Sequence, residues 1–509
     1  MTENKFNLID EKWIPVTDRG KVSLRTIFTD ERITALGGNP VEKIAVFKLL
    51  LAIAQSAYTP QGDEDWKKLG VKGLQQKVLE YFDAHYDCFW LYGEKPFLQM
   101  KEVKCAEVYP FGKVQMEIAT GNTSVVTEIQ IEKEIDDSEK AMLVLLLMGF
   151  AFGGKNTDNS VVLTSGYTGK TKTSKYGSSL GFQGMLHSFV FTASILNSVY
   201  FNIFTENEIG RIGIYPKGVG TAPWEKMPTG EDDDVAKNLK NSYMGRLIPM
   251  NRFVLIDDDG IHNTEGIVQP GYDSGVADPS VTVSFDAKPK PRVLWVDPEK
   301  RPWRMLTSML SFLGKKSGKS DDGKTYHFQC FQLQNVFDNR MRDEKTVFSI
   351  WSGGVKVSSN AGEQYLTKTD DFVESEVMFS EDFIGETLYE NLKKEMGYWE
   401  KIAERLRYCI SHYFSELLCD GKSLAEQGRN LFWQLCEGKF QTLIEICSEK
   451  DLENCSEEDP ENCKKKSEKL RKEIFSYALQ IYDEQCPNLT ARQLEAWAKN
   501  RPIFKKEDN

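Results

Sequence analysis

Paired cysteines are missing from this chain of 509 residues. Cys88, Cys105, Cys330, Cys409, Cys419, Cys436, Cys447, Cys455, Cys463 and Cys486 contain no CxxC step, which argues against a zinc ribbon. Histidine is scarce: His85, His187, His262, His327 and His412 form no HxxxH or HD pair, so metal nucleases and metalloproteases lack support. Long apolar runs are missing too. The best, Ala141 to Phe152 (AMLVLLLMGFAF), is 12 residues, too short to span a bilayer, and reads as a core helix. Met1 to Pro15 has no basic stretch followed by an apolar one, so no secretory signal is visible. These absences predict a cytoplasmic protein with reduced, mostly buried thiols. There is no excess of positive charge. Lys plus Arg number 64 against 76 Asp plus Glu, a net −12. The surface as a whole is no polyanion binder, and any nucleic-acid site must be a local basic patch.

What is present is ample core material, with 40% hydrophobic residues and 11% aromatics. The length suggests roughly two to four domains. The first part, residues 1–375, mixes short helical and strand-like stretches with many Gly and Pro. Ala45 to Ala57 and Glu139 to Phe150 read as buried helices. Phe253 to Ile256 and Val293 to Val296 read as strands. From 380 to 509 the pattern becomes helical. Phe383, Leu388, Leu392, Met396 and Trp399, then Ile402, Leu406, Ile410 and Phe414, predict a long helix over Ser380 to Leu418. Leu424 to Cys447, Lys464 to Gln485 and Thr490 to Lys499, with Thr490 as N-cap, complete an expected bundle. The fold class is therefore α+β: a large mixed α/β N-terminal domain followed by an all-α C-terminal four-helix bundle.

One motif matches a phosphate-binding loop letter for letter: Gly318-Lys-Ser-Asp-Asp-Gly323-Lys324-Thr325 fits GxxxxGK[ST]. That loop needs a strand before it and a helix after it, so that backbone N–H groups face the phosphate. Here Met305 to Leu313 looks helical and Tyr326 to Leu333 strand-like, the reverse order. Asp321 and Asp322 would also repel phosphate. Gly166 to Thr171 (GYTGKT) has its glycines too close together. Asp257 to Gly260 fails the calcium-loop pattern, and Glu231 to Asp234 has no His nearby, so both read as solvated turns. Two windows are locally basic, each with net +3: Gly153 to Gly177 and Asp286 to Arg304. Lysines on Gly-bearing loops can follow a phosphate backbone closely.

Longer strings then occur in a telling order. They are Phe6-Asn-Leu-Ile-Asp-Glu-Lys-Trp13-Ile-Pro15, Glu94-Lys-Pro-Phe-Leu-Gln99, Ala222-Pro-Trp224-Glu, Gly245-Arg-Leu-Ile-Pro249, Leu294-Trp295-Val-Asp-Pro298, and Trp351-Ser-Gly353-Gly354-Val-Lys356 through Gln364. In this order and spacing the chain resembles the large, CasA-type subunit of the type I-E CRISPR surveillance complex, Cascade. The resemblance runs from residue 6 into the C-terminal helices. It implies a non-enzymatic role in antiviral defence: reading the short PAM in duplex DNA, helping to open that duplex for guide pairing, and recruiting a separate helicase–nuclease. The implied partners are CRISPR RNA, the double-stranded DNA target, and the backbone, handle-binding and small subunits of Cascade; no membrane is implied.

Site residues follow from the same resemblance. A loop that contacts the RNA handle and the PAM maps to Gly121 to Glu128, with Asn122, Thr123 and Val126 as candidates; Val126 replaces an aromatic residue. DNA and PAM contacts map to Lys175, to a glycine loop bearing Gly177, Gly181 and Gly184, and to Lys288 or Lys290. A strand-separating wedge maps to Lys356, Ser358, Ser359, Asn360 and Ala361, with Gly353-Gly354 read as a turn signal ahead of it. Some relatives hold zinc through cysteines; this chain has no Cys at those positions, so neither metal nor other cofactor is expected. The competing readings are an ATP-binding or phosphoryl-transfer enzyme built on Gly323-Lys324-Thr325, and a protein scaffold.

Overall fold

Residues 3–115, 134–152, 176–286, 290–314, 318–319, 325–326, 328–340, 347–357, 372–380, 385–448 and 460–503 are described in a computed structural model of the chain. The chain divides into two compact units. One comprises Met1–Met309 and Lys319–Glu376; the other comprises Leu310–Gly318 and Val377–Asn509.

The first unit is organised around the helix Pro40–Ala57. Asn39 starts it by accepting from the backbone N–H groups of Val41 and Glu42, and Glu42 reaches back to the Asn39 N–H. This reciprocal cap, with Pro40 in the first turn, satisfies N–H groups that a helix start leaves unpaired. Apolar residues then surround the helix on all sides, so it is buried. A second capping box, Asp136 with Glu139, starts the helix Asp137–Gly149. Ala141 to Phe152 is thus partly a core helix. Among the described residues no helix is long and apolar enough to cross a membrane.

Against Pro40–Ala57 lies a sheet of three strands in the order Phe372–Ser380, Val347–Val355, His187–Phe191, the last two antiparallel. Phe47 of the helix meets Phe189 and Phe191 edge-on, both at 4.9 Å between ring centres. Such pairs add about 0.5–1.5 kcal/mol beyond area burial. A second sheet, Val108–Tyr109, Gly260–Glu265 and Arg252–Asp257, contains the predicted Phe253–Ile256 strand. Asp257 pairs with Gly260 across a tight turn, so the Asp257 to Gly260 cluster is a hairpin tip. In the other acidic cluster Asp233 caps the helix Asp234–Lys240, and Lys240 pairs with Glu231 and Asp232.

The structure corrects four local expectations. Gly353 and Gly354 are no turn but buried residues inside the strand Val347–Val355. A Cβ on Gly353 would lie 2.6 Å from the Trp351 ring, and one on Gly354 2.7 Å from the Met185 carbonyl oxygen. Close approach, not chain reversal, requires these glycines. The helix predicted from Ser380 begins instead at Glu386. The alternating burial of Val377 and Phe379 keeps the preceding stretch in a strand, and Phe383 lies outside the described residues. The strand predicted over Tyr326 to Leu333 is confined to Thr325–Tyr326, because Leu333, Val336 and Phe337 bury one face of the helix Phe331–Asn339. Val293 to Val296 pairs as a strand only over Arg292–Val293, after which Trp295 makes an isolated bridge to Met185.

The second unit is helical: Glu386–Glu416, Lys422–Ser448, Pro460–Gln485 and Ala491–Asn500. Leu388, Leu392, Trp399, Ile402, Leu406 and Ile410 line one buried face of the first helix at steps of three, four and seven. Burying each large apolar side chain contributes about 1.5–3 kcal/mol. Thr490 caps the last helix through a box with Gln493. Inside, Arg471 grips Glu395 with two bonds, at 3.0 and 2.6 Å. Gly314 abuts the Tyr389 ring, so Leu310–Gly318 packs with these helices although it is distant in sequence.

Candidate nucleic-acid interface

The glycine loop is held from both ends. Gly177 donates to the Ala151 carbonyl at 2.7 Å, and the N–H groups of Leu180 and Gly181 both reach the Gly177 carbonyl at 3.0 Å. Gly181 (φ +64°) and Gly184 (φ +91°) adopt left-handed backbone, which side chains with a Cβ resist. A Cβ on Gly181 would lie 2.8 Å from Met185 Cε and 3.0 Å from the Trp295 ring, and one on Gly184 would collide with the Val355 carbonyl oxygen. The space these glycines leave open is therefore filled by protein.

That crowding brings three candidate segments together. Val296 donates to the Gly184 carbonyl at 2.8 Å, and Val357 donates to the Gln183 carbonyl at 3.2 Å. The glycine loop is thus tied to Leu294-Trp295-Val296 and to Val357, next to the segment expected to form the wedge. Val355 and Val357 are buried, and Lys356 between them is half-buried. Lys290 is exposed, two residues before the strand Arg292–Val293. Lys175, Lys288, Asn122, Thr123, Val126, Ser358, Ser359, Asn360 and Ala361 lie outside the described residues.

Sequence reasoning missed two features here. Phe182, at the apex of the glycine loop, is 40% exposed and packs edge-on against Trp295 with ring centres 4.6 Å apart. An exposed aromatic on a glycine loop is the signal that could have been read. Beneath the loop lies a buried charge cluster. Lys48 donates to Ser179 Oγ at 2.8 Å, to the Arg246 carbonyl at 3.0 Å, and to Asp278. His187 bridges Ser280 Oγ (2.8 Å) and the Ser179 carbonyl (2.7 Å). Ser179 belongs to the glycine loop, so the cluster supports it from within. Burial pulls the Lys48 ammonium toward a lower pKa, and Asp278 beside it opposes that pull. Burial would raise the Asp278 carboxyl, but Lys48, His187 and Ser280 outweigh it and hold it at about 2. Burial, then the charge of Lys48, drives the His187 pKa down to about 4, so its ring is neutral near pH 7. The sequence signal was a single Lys inside the apolar run AVFKLLLAIA.

The GxxxxGKT motif has the wrong surroundings for phosphate binding. Its ends fall in Gly318–Lys319 and Thr325–Tyr326, which pair with each other as a two-stranded sheet. The next described helix starts only at Phe331, so no helix N-terminus follows Lys324-Thr325 directly. Among the described residues no group of three or more His, Cys, Asp or Glu side chains is placed to hold a metal ion.

A mixed α/β unit followed by a helical unit is an architecture that other solved proteins share. The model of the CRISPR-associated protein Cse1 family matches residues 7–481, and the chain belongs to that family. The family resemblance read from the six strings is thereby borne out. The CasA/Cse1 protein of Thermus thermophilus is 27% identical over 338 residues, an alignment that spans 61% of this chain and 61% of that relative. The crystal structure of Thermobifida fusca Cse1 superposes with a TM-score of 0.72 at 16% identity, covering 98% of this chain and 97% of that one. A chain of a CRISPR RNA-guided surveillance complex superposes with a TM-score of 0.69 at 13% identity, covering 97% and 98%. At such identities the superpositions establish the shared fold, α+β with C-terminal helices.

Proposed function

We propose that this chain is the non-catalytic, DNA-reading subunit of a cytoplasmic RNA-guided antiviral surveillance complex. In this reading it recognises the PAM in duplex DNA, helps to open the duplex for guide pairing, and helps to recruit a helicase–nuclease. Its partners are CRISPR RNA, the DNA target and the other Cascade subunits. The observation that carries the reading is the joining of Gly184 to Val296 and of Gln183 to Val357, which makes one rigid base from the glycine loop, the Leu294-Trp295 segment and the wedge root. A reader and an opener mounted on one base can couple PAM contact to strand separation without a long-range relay. The glycines shape this base from inside, leaving Phe182 exposed at the loop. Lys175, Lys288 and Lys290 supply phosphate contacts, and Asn122, Thr123 and Val126 belong to the handle loop. Ser358, Ser359, Asn360 and Ala361 form the wedge.

The helical unit fits protein contacts. Leu424, Leu431 and Leu435, at spacings of seven and four along Lys422–Ser448, are each about two-fifths exposed and share a face. Substituting Ser358-Ser359-Asn360 by three glycines tests the reading in the assembled complex. The variant is expected to bind fully paired targets poorly and targets pre-melted beside the PAM nearly normally. Separating one base-pair step costs about 1.4 kcal/mol on average, so a roughly tenfold defect on paired DNA is the expected scale. Equal losses on both targets would refute a wedge role.

A further inference from the structure

Trp295, which packs against the glycine loop, also lines a cavity of about 380 Å³. Tyr272, Arg292, Trp295, Lys300, Met305 and Phe328 are among its lining residues. Among the described lining residues two are cations, Arg292 and Lys300, and none is a carboxylate. Tyr272 and Trp295 meet edge-on with ring centres 6.0 Å apart, and both are only partly buried. Trp295 thus serves two neighbours: Gly181 and Phe182 of the glycine loop, and the cavity wall.

Aromatic faces beside an Arg and a Lys suit a ligand with a flat ring and a nearby negative charge. A nucleotide has both, and the volume falls within the usual range for small ligands. We propose that this cavity holds one nucleotide of single-stranded DNA, with its base against Trp295 or Tyr272 and its phosphate toward Arg292 and Lys300. Stacking of one base is too weak to retain a free mononucleotide at micromolar concentration. The occupant is therefore a nucleotide within a strand, whose neighbouring contacts raise its effective concentration. The proposal rests on the reading of this face as the place where duplex is opened: a strand parted at the wedge root would be kept from re-pairing by capturing one of its bases.

The test uses the full chain and a labelled single-stranded oligothymidylate, with binding followed by anisotropy. Ser308 also lines the cavity, so Ser308→Phe fills it without removing a charge. Both Ser308→Phe and the double variant Arg292→Ala/Lys300→Ala are expected to bind roughly tenfold more weakly. The double variant also flattens the dependence of log affinity on log salt by about 0.7, the share of one phosphate on a single strand. An oligomer carrying abasic sites should bind the unaltered chain as weakly as oligothymidylate binds Ser308→Phe. Free thymidine monophosphate should not compete at micromolar concentration; competition there would overturn the strand requirement. Should Ser308→Phe melt early, quenching of Trp fluorescence by the oligomer, present in the unaltered chain and diminished in Trp295→Phe, decides instead. Equal binding of abasic and normal oligomers, or unchanged binding by a stably folded Ser308→Phe, would overturn the proposal. PAM preference is scored separately on duplexes in the assembled complex. Loss of that preference with strand binding intact refutes the PAM reading alone.

Discussion

The two units each bury an ion pair, but they set it in opposite kinds of scaffold. In the helical unit, Glu395 and Arg471 sit on two long helices whose apolar faces recur at local spacing. In the mixed unit, Lys48 and Asp278 are 230 residues apart and meet beneath a loop tied to two further segments. The helical pair holds together elements that periodicity already specifies. The Lys48–Asp278 pair holds together segments that nothing local specifies, so its loss should reach the glycine loop.

The largest effect should come from breaking that pair. Asp278→Ala strands a buried ammonium and is expected to destabilise the mixed unit by about 3–5 kcal/mol. A lowered urea midpoint would show it. Lys48→Met/Asp278→Met should recover much of the stability by removing both charges. Recovered stability without recovered DNA binding would show that the pair positions Ser179 and its loop. Full recovery of both would reduce it to a packing element.

Acid should act next. His187 has its folded pKa lowered to about 4 from the ordinary 6.5, so below pH 6.5 the unfolded chain takes up a proton that the folded chain refuses. Stability is therefore lost as pH falls from about 6.5 to 4, by about 3 kcal/mol in all. Asp278, held at about 2, adds a further loss between its unfolded value near 4 and pH 2. His187→Gln should flatten the upper part of this profile in chemical denaturation across pH. An unchanged slope would place the acid-sensitive group elsewhere.

Glycine substitutions sharpen the contrast between the units. Gly184→Ala meets both a left-handed backbone and the Val355 carbonyl, and should cost about 3 kcal/mol and weaken DNA binding. Gly397 and Gly438 are exposed inside helices, with nothing within 4 Å of a Cβ. Gly397→Ala and Gly438→Ala should each stabilise by about 0.5–1 kcal/mol, the smallest effect of this set. Thermal melting of the three variants checks the opposite signs. A stabilised Gly184→Ala would overturn the account of the loop.

Much of the helical unit was legible because each helix carries its own evidence: a cap such as Thr490, and a face such as Leu388, Leu392, Trp399, Ile402 and Leu406. The helices Pro40–Ala57 and Asp137–Gly149 were readable for the same reason. The candidate site could be proposed only as separate strings, through family resemblance, because the 181–184, 294–296 and 355–357 segments carry no shared period that would say they touch. The meaning of the glycines was decided in three dimensions. Gly353 and Gly354 look like a turn in one dimension and are strand residues under Trp351 and Met185. Composition, charge and periodicity determined an acidic α+β protein with a helical C-terminal part. Only the tertiary structure decided that Lys48 finds Asp278, that Trp295 stands between the glycine loop and a cationic cavity, and that Leu310–Gly318 packs with the helices. Local preferences are set by neighbours along the chain, whereas these pairings depend on which distant atoms exclude water together.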